Sequence, residues 1–109
     1  MAERATVTEI TVTVRYFAAA RATAGAAEES LTVSVVPTVA AVRETGEGHG
    51  SGVATVGTVL DAAIGRHGAA LATVLRRCSF LLDEVAVHGT DTQVRAGQTL
   101  DVLPPFAGG

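Results

Sequence analysis

The chain has 109 residues, 48% of them hydrophobic and 17% charged, and its formal charge of −3 combines eight arginines, no lysine and eleven acids. A chain of this size and apolar content can bury one core, so a single domain over 1–109 is expected, and its dispersed charges leave no basic footprint for nucleic acid. No apolar run approaches a membrane span and the polar start Met1-Ala2-Glu3-Arg4 is unlike a secretion signal, so no membrane partner and a cytoplasmic location are expected.

Glu9 to Phe17 alternates, with Ile10, Val12, Val14 and Tyr16 on one side and Glu9, Thr11, Thr13 and Arg15 on the other, which predicts a half-buried strand. Phe17 falls on the polar side, an aromatic out of phase with the core. Ala18 to Ala24, followed by Gly25, reads as one or two helical turns stopped by a glycine. Leu31, Val33 and Val35 then alternate with Ser30, Thr32 and Ser34 as a second strand, expected to pair with the first. From about 37 to 54 the apolar period fades through a glycine-rich stretch, which predicts a mobile surface insertion, with room for a short helix at Val39 to Glu44.

Thr55 is placed as the N-cap of the main helix, because Val56, Val59, Leu60, Ala63, Ile64 and His67 recur on one face. After Gly68 a shorter run, Leu71, Val74, Leu75 and Cys78, makes another helical segment. Cys78 is the single cysteine; it can form no internal disulfide, fits a reducing compartment and reads as a small buried hydrophobe. Phe80 to Leu82 and Val85 to His88 are expected as short strands around an Asp83-Glu84 turn, Gly89 to Asp91 as a reversal, and Thr99 to Leu103 as the last strand. Two strands, a crossing helix and three more strands predict an α+β roll of the β-grasp type, a mixed sheet wrapped around one main helix.

First and last strands can lie side by side at the centre of such a sheet, which frees the tail 104–109. Pro104 and Pro105 cannot continue the ladder, and six residues at ~3.3 Å each reach on the order of 20 Å. A tail ending in Gly108 and Gly109 presents an α-carboxylate on a thread without side chains, thin enough for another protein's active site. The missing lysines are what an Ala-, Val-, Gly- and Arg-rich composition tends to give; a second reading is that an activated C-terminus gains by lacking amines that it could acylate.

Three pieces carry a resemblance to the MoaD/ThiS family of ubiquitin-like sulfur carriers. They are Val12-Thr13-Val14-Arg15-Tyr16-Phe17-Ala18 with Ala20-Arg21 and Gly25, the helix from Thr55, and Leu103-Pro104-Pro105 through Gly108-Gly109. The Phe-Ala-x-x-Arg element leans toward the branch of molybdopterin synthase small subunits. The insertion is longer than that family's usual connection, and Gln98 stands where an acid often follows the turn glycine.

The resemblance implies a ubiquitin-like fold, an ATP-using adenylating enzyme (MoeB-like) that activates the Gly109 carboxylate, and a sulfur donor protein that converts it to a thiocarboxylate, a 1-thioglycine. The large synthase subunit (MoaE-like) would then present it to cyclic pyranopterin monophosphate in molybdenum cofactor synthesis. No cofactor is implied on the chain itself, and alone it would not be catalytic. Carriers for thiamine, cysteine or other thio-metabolites share the tail, and a ubiquitin-like modifier or a plain interaction domain remains open. For partner docking the expected residues are Phe17, Leu103 and Phe106 with Pro104 and Pro105, and Leu82 and Arg21 at the edge, because they lie on or near the tail's exit. For Leu82 and Leu103 a place in the core is the competing reading.

His49, His67 and His88 lack Cys or acid at ligand spacing, so no metal site is expected. Asp83, Glu84, Asp91 and Asp101 read as turn and surface charges rather than catalytic acids, and no phosphate-cradling glycine motif appears, so ATP belongs to the partner.

Overall fold

The computed structural model describes residues 8–37 and 52–105. The first alternating run becomes β1 (Thr8–Tyr16), with Val12, Val14 and Tyr16 on the buried face and Thr11, Thr13 and Arg15 on the other, as the two-residue period of a strand requires. β2 (Glu28–Pro37) returns antiparallel, and the register Ile10↔Val33 and Val12↔Leu31 brings the apolar rows onto one face. Between them lies α1 (Ala18–Ala24), ended by Gly25 at φ 79°, whose N–H donates to the Arg21 carbonyl at 2.9 Å. An L side chain would be strained in that left-handed turn.

β3 (Gly52–Thr55) runs straight into the main helix α2 (Val56–His67). Its N-terminus is closed by a reciprocal box: the Thr58 N–H donates to Thr55 Oγ1 at 3.1 Å, and the Thr55 N–H donates to Thr58 Oγ1 at 3.3 Å. α3 (Ala69–Leu75) follows across Gly68, then β4 (Ser79–Leu82), β5 (Val85–Ala86), β6 (Gln93–Val94) and β7 (Thr99–Leu103). The β4–β5 turn holds Asp83 and Glu84 at φ 48° and 70°. Asp83 compensates for that left-handed backbone by accepting the Thr99 N–H at 2.9 Å and Gln98 Nε2–H at 3.1 Å.

The strands form one sheet in the order β5-β4-β7-β1-β2-β3-β6. Among the described residues only the central pair is parallel, with β1 beside β7 from Thr13↔Thr99 to Tyr16↔Val102. Val56, Val59, Leu60 and Ala63 of α2, Leu71 and Leu75 of α3, and Ala20 and Ala24 of α1 close over Val12, Val14, Leu31, Val33, Leu100 and Val102 in one core. Each fully buried Val or Leu contributes about 1.5–3 kcal/mol. This is the α+β, ubiquitin-like β-grasp roll that the element order predicts.

Two expectations change. The segment 37–54, read as one mobile insertion, begins and ends in sheet: Pro37 closes β2, and β3 pairs with β2 at Val36↔Val53 and with β6 at Ala54↔Val94. Strands of four and two residues carry too short an alternation to be read alone, and their hydrogen-bond partners come from distant parts of the chain. The possible helix at Val39 to Glu44 and His49 lie outside the described residues. The strand expected over Val85 to His88 is regular only at Val85–Ala86, although the Val87 N–H still donates to the Phe80 carbonyl at 3.0 Å.

Candidate functional site

The parallel β1–β7 pairing decides what surrounds the start of the tail. One step beyond Tyr16↔Val102, the Phe17 N–H donates to the Val102 carbonyl at 3.2 Å, which puts Phe17 beside the residue before Leu103. Phe17 is extended (φ −124°, ψ 151°) and is the N-cap of α1; its carbonyl accepts from the Ala20 and Arg21 N–H groups. The chain then turns through Ala18 at φ 51°, which lets α1 cross to the buried face while the Phe17 ring stays outside, 40% exposed. A left-handed alanine costs about 1–2 kcal/mol. A larger or branched residue would strain that corner further.

Arg15 and Asp101 stand opposite each other on the same outer face. Arg15 Nε donates to Asp101 Oδ1 at 2.6 Å and Nη2 donates to Oδ2 at 2.9 Å, a two-pronged pair on central strands. The hydrogen bond and charge of Asp101 push the Arg15 guanidinium above its ordinary value, so it stays a cation. Its central carbon lies 5.9 Å from the Phe17 ring centroid, within cation–π range. A cleft of about 270 Å³ beside the pair is lined by Arg15, Asp83, Glu84, Thr99 and Asp101.

Asp101 is thus no surface charge: it is 5% exposed, because Arg15 lies against it. Asp83, Glu84 and Asp91 are exposed turn residues. Leu82 also departs from its expected place at the docking edge. Its register opposite Leu100 turns it to the helix side, where it is 8% exposed and part of the core. Leu103 and Pro104 are half-buried and Pro105 is exposed, so the tail's root reaches the surface. Arg21 is exposed on α1, one helical turn past Phe17. Phe106, Gly108 and Gly109 lie outside the described residues.

Cys78 is half-buried, donates its S–H to the Val74 carbonyl at 3.3 Å, and has its thiol pushed up by burial, which makes it a poor nucleophile. His67 faces Glu29 across the sheet–helix interface and His88 is exposed. Among the described residues no three His, Cys, Asp or Glu side chains gather where they could hold a metal, and no helix is long and apolar enough to cross a membrane. The Arg15–Asp101 pair was missed in sequence; the signal was an acid in the middle of Thr99-Leu100-Asp101-Val102-Leu103, a run apolar on both sides of it.

The ThiS family profile matches residues 14–109, taking in most of the sheet, the helices and the tail. The chain belongs to the ThiS family. Its fold is ubiquitin-like. Among solved structures it is similar to SAMP1 from Haloferax volcanii, at 24% identity over 91% of this chain and 99% of that one, with a TM-score of 0.65. Small archaeal modifier protein 1 from Methanosarcina acetivorans has 19% identity over 94% and 99% of the two chains, also at 0.65. A Pyrococcus furiosus protein assigned as subunit 1 of a molybdopterin converting factor has 18% identity over 89% and 99%, at 0.57. At these identities the likeness concerns the fold. No curated protein matches the chain.

Proposed function

We propose that this ThiS-family protein is a sulfur carrier that works through the Gly109 carboxylate, as the small subunit of a molybdopterin synthase. The observation that carries the reading is a family match running through Gly109 on a fold whose central strand β7 is hydrogen-bonded at Val102 to an exposed aromatic, Phe17, and then hands the chain to an exposed Pro105. The proposed docking surface is Phe17, Leu103, Pro104, Pro105 and Phe106, with Arg21 at its margin.

A resting carboxylate resists attack because its charge is delocalised. In the proposed cycle one of its oxygens attacks the α-phosphorus of ATP on an adenylating enzyme and pyrophosphate leaves. A persulfide sulfur from a donor protein then displaces AMP, and a thiol cleaves the resulting acyl disulfide to leave the thiocarboxylate. That soft nucleophile would be delivered by a large synthase subunit to cyclic pyranopterin monophosphate. Gly108 and Gly109 suit this role because they add no width to the chain that enters the partner.

Mass spectrometry of the chain after incubation with ATP, a MoeB-like adenylating enzyme and a persulfide donor tests the first half. One oxygen exchanged for sulfur at Gly109 is expected, and Gly109→Ala is expected to lose it while melting like the wild type; an unchanged mass would overturn the reading. Adding a large synthase subunit and the pterin precursor tests the destination, with dithiolene formation as the expected result. The similarity to small archaeal modifier proteins favours a second reading, in which an amine captures the acyl-adenylate. It would show as heavier conjugates of other proteins. Lacking lysine, the 109 residues offer no ε-amine for a further copy to join.

A further inference from the structure

The outer face of the central strands carries Thr11, Thr13 and Arg15 on β1 and Thr99, Asp101 and Leu103 on β7. Desolvating a carboxylate there is costly, and a paired buried charge is a weak source of stability compared with apolar groups of like size. The Arg15–Asp101 pair therefore calls for a use besides holding the sheet together. Its surroundings supply one. The Phe17 N–H is bonded to the Val102 carbonyl, Val102 is covalently next to Asp101, Asp101 holds Arg15 through two hydrogen bonds, and the Arg15 guanidinium lies over the Phe17 ring. These four links close a circuit around the root of the tail.

We propose that Arg15, fixed by Asp101, is a positioning residue that holds the Phe17 ring at a set offset from the tail root, so that an ATP-dependent acyl-activating enzyme that grips Phe17 meets the ring already ordered for docking. The proposal rests on the carrier reading above. In the activation step a carboxylate oxygen bonds to the α-phosphorus, the bond from that phosphorus to the pyrophosphate oxygen breaks, and pyrophosphate leaves with the electron pair. Arg15 exchanges no proton and touches no reacting atom. Its contribution is preorganisation: a ring ordered before docking leaves less ordering cost to be met on binding, so its loss is read in KM rather than in kcat.

The variants are Asp101→Asn and the double change Arg15→Leu with Asp101→Leu, which fills the same space with apolar groups and keeps the sheet covered if the single change weakens the fold. Two measurements on the full chain are needed: NMR order of the Phe17 ring and Leu103 amide, and rates of ATP–pyrophosphate exchange by a purified MoeB-like adenylating enzyme at varied carrier concentration. The double variant is expected to melt like the wild type, lose order at Phe17, and raise KM about tenfold with kcat within about twofold. Arg15→Lys, with the charge but not the fork, should fall between. An unchanged KM in the folded variants, unchanged order at Phe17, or a KM rise that merely follows lost stability overturns the positioning role. No exchange with the wild-type chain overturns the carrier reading and the proposal with it, and is told apart because in the other cases the wild type is active.

Discussion

The Tyr16 hydroxyl donates to Glu29 Oε2 at 2.6 Å on the helix-facing side of the sheet. Glu29 occupies the row of Leu31, Val33 and Val35, where an apolar residue would be expected, and its carboxylate is fully used. A carboxylate oxygen only accepts, so His67 Nε2 carries the proton that it donates to the same oxygen at 2.7 Å, and Arg66 Nε lies 3.1 Å from Oε1. The His67 and Tyr16 rings meet edge to face with centroids 6.0 Å apart. The cluster joins the end of α2 to β1 and β2.

Removing the acceptor should therefore be more harmful than removing one donor. Glu29→Ala strands the Tyr16 hydroxyl and His67 and is expected to lower stability by about 2–3 kcal/mol, most of it from the two buried donors, because Arg66 is largely exposed. Tyr16→Phe should cost about 1 kcal/mol. Urea denaturation of both variants checks the order; equal losses would mean that the hydroxyl alone matters.

Alkaline pH tests the same cluster. Burial, and after it the hydrogen bond to Glu29, pushes the Tyr16 phenol well above its ordinary 10.0. The folded chain then keeps a proton that the unfolded chain releases, so the stability that Tyr16 contributes is intact below pH 10 and falls as the pH rises from there toward the folded value. Tyr16 is the only tyrosine, so the tyrosinate absorbance reports this group alone. Phenol ionisation delayed past pH 10 and coincident with unfolding is expected. Tyr16→Phe should flatten the loss of stability above that pH, leaving the smaller share due to Cys78, whose thiol is also pushed up.

Leu82, in the core, and Phe17, on the surface, should behave oppositely. Leu82→Ala opens a hole in the core and is expected to cost about 2–4 kcal/mol. Phe17→Asp removes an exposed ring and should shift the melting temperature little while weakening partner binding; calorimetry and a binding titration against the adenylating enzyme separate the two. A large stability loss at Phe17 would show that its ring belongs to the core after all.

The helix glycines give a further contrast. A Cβ at Gly65, inside α2, would meet open space, so Gly65→Ala is expected to stabilise the fold by about 0.5–1 kcal/mol. Gly25 has equal room but sits at φ 79°, so Gly25→Ala should destabilise it by about 1 kcal/mol. Thermal melts check both signs.

Much of this was legible in the letters. Ile10 to Tyr16 and Leu31 to Val35 announce strands because one face of each is buried, Thr55 announces a helix because a hydroxyl is needed at its open N–H groups, and Gly25 announces a stop. β3 and β6 were not legible, since strands of four and two residues exist through partners elsewhere in the chain. Leu82 looked equally suited to core or surface until the β4–β7 register turned it inward.

Sequence alone determined the order of the longer elements, the main helix and its cap, and the family to which the Phe17 element and the Gly-Gly tail belong, because periodicity, capping and short motifs are local properties of the chain. Only the tertiary structure decided that Asp101 is buried and what holds it. Its partner, Arg15, is 86 residues away along the chain, and the two meet only because β1 and β7 lie parallel at the centre of the sheet.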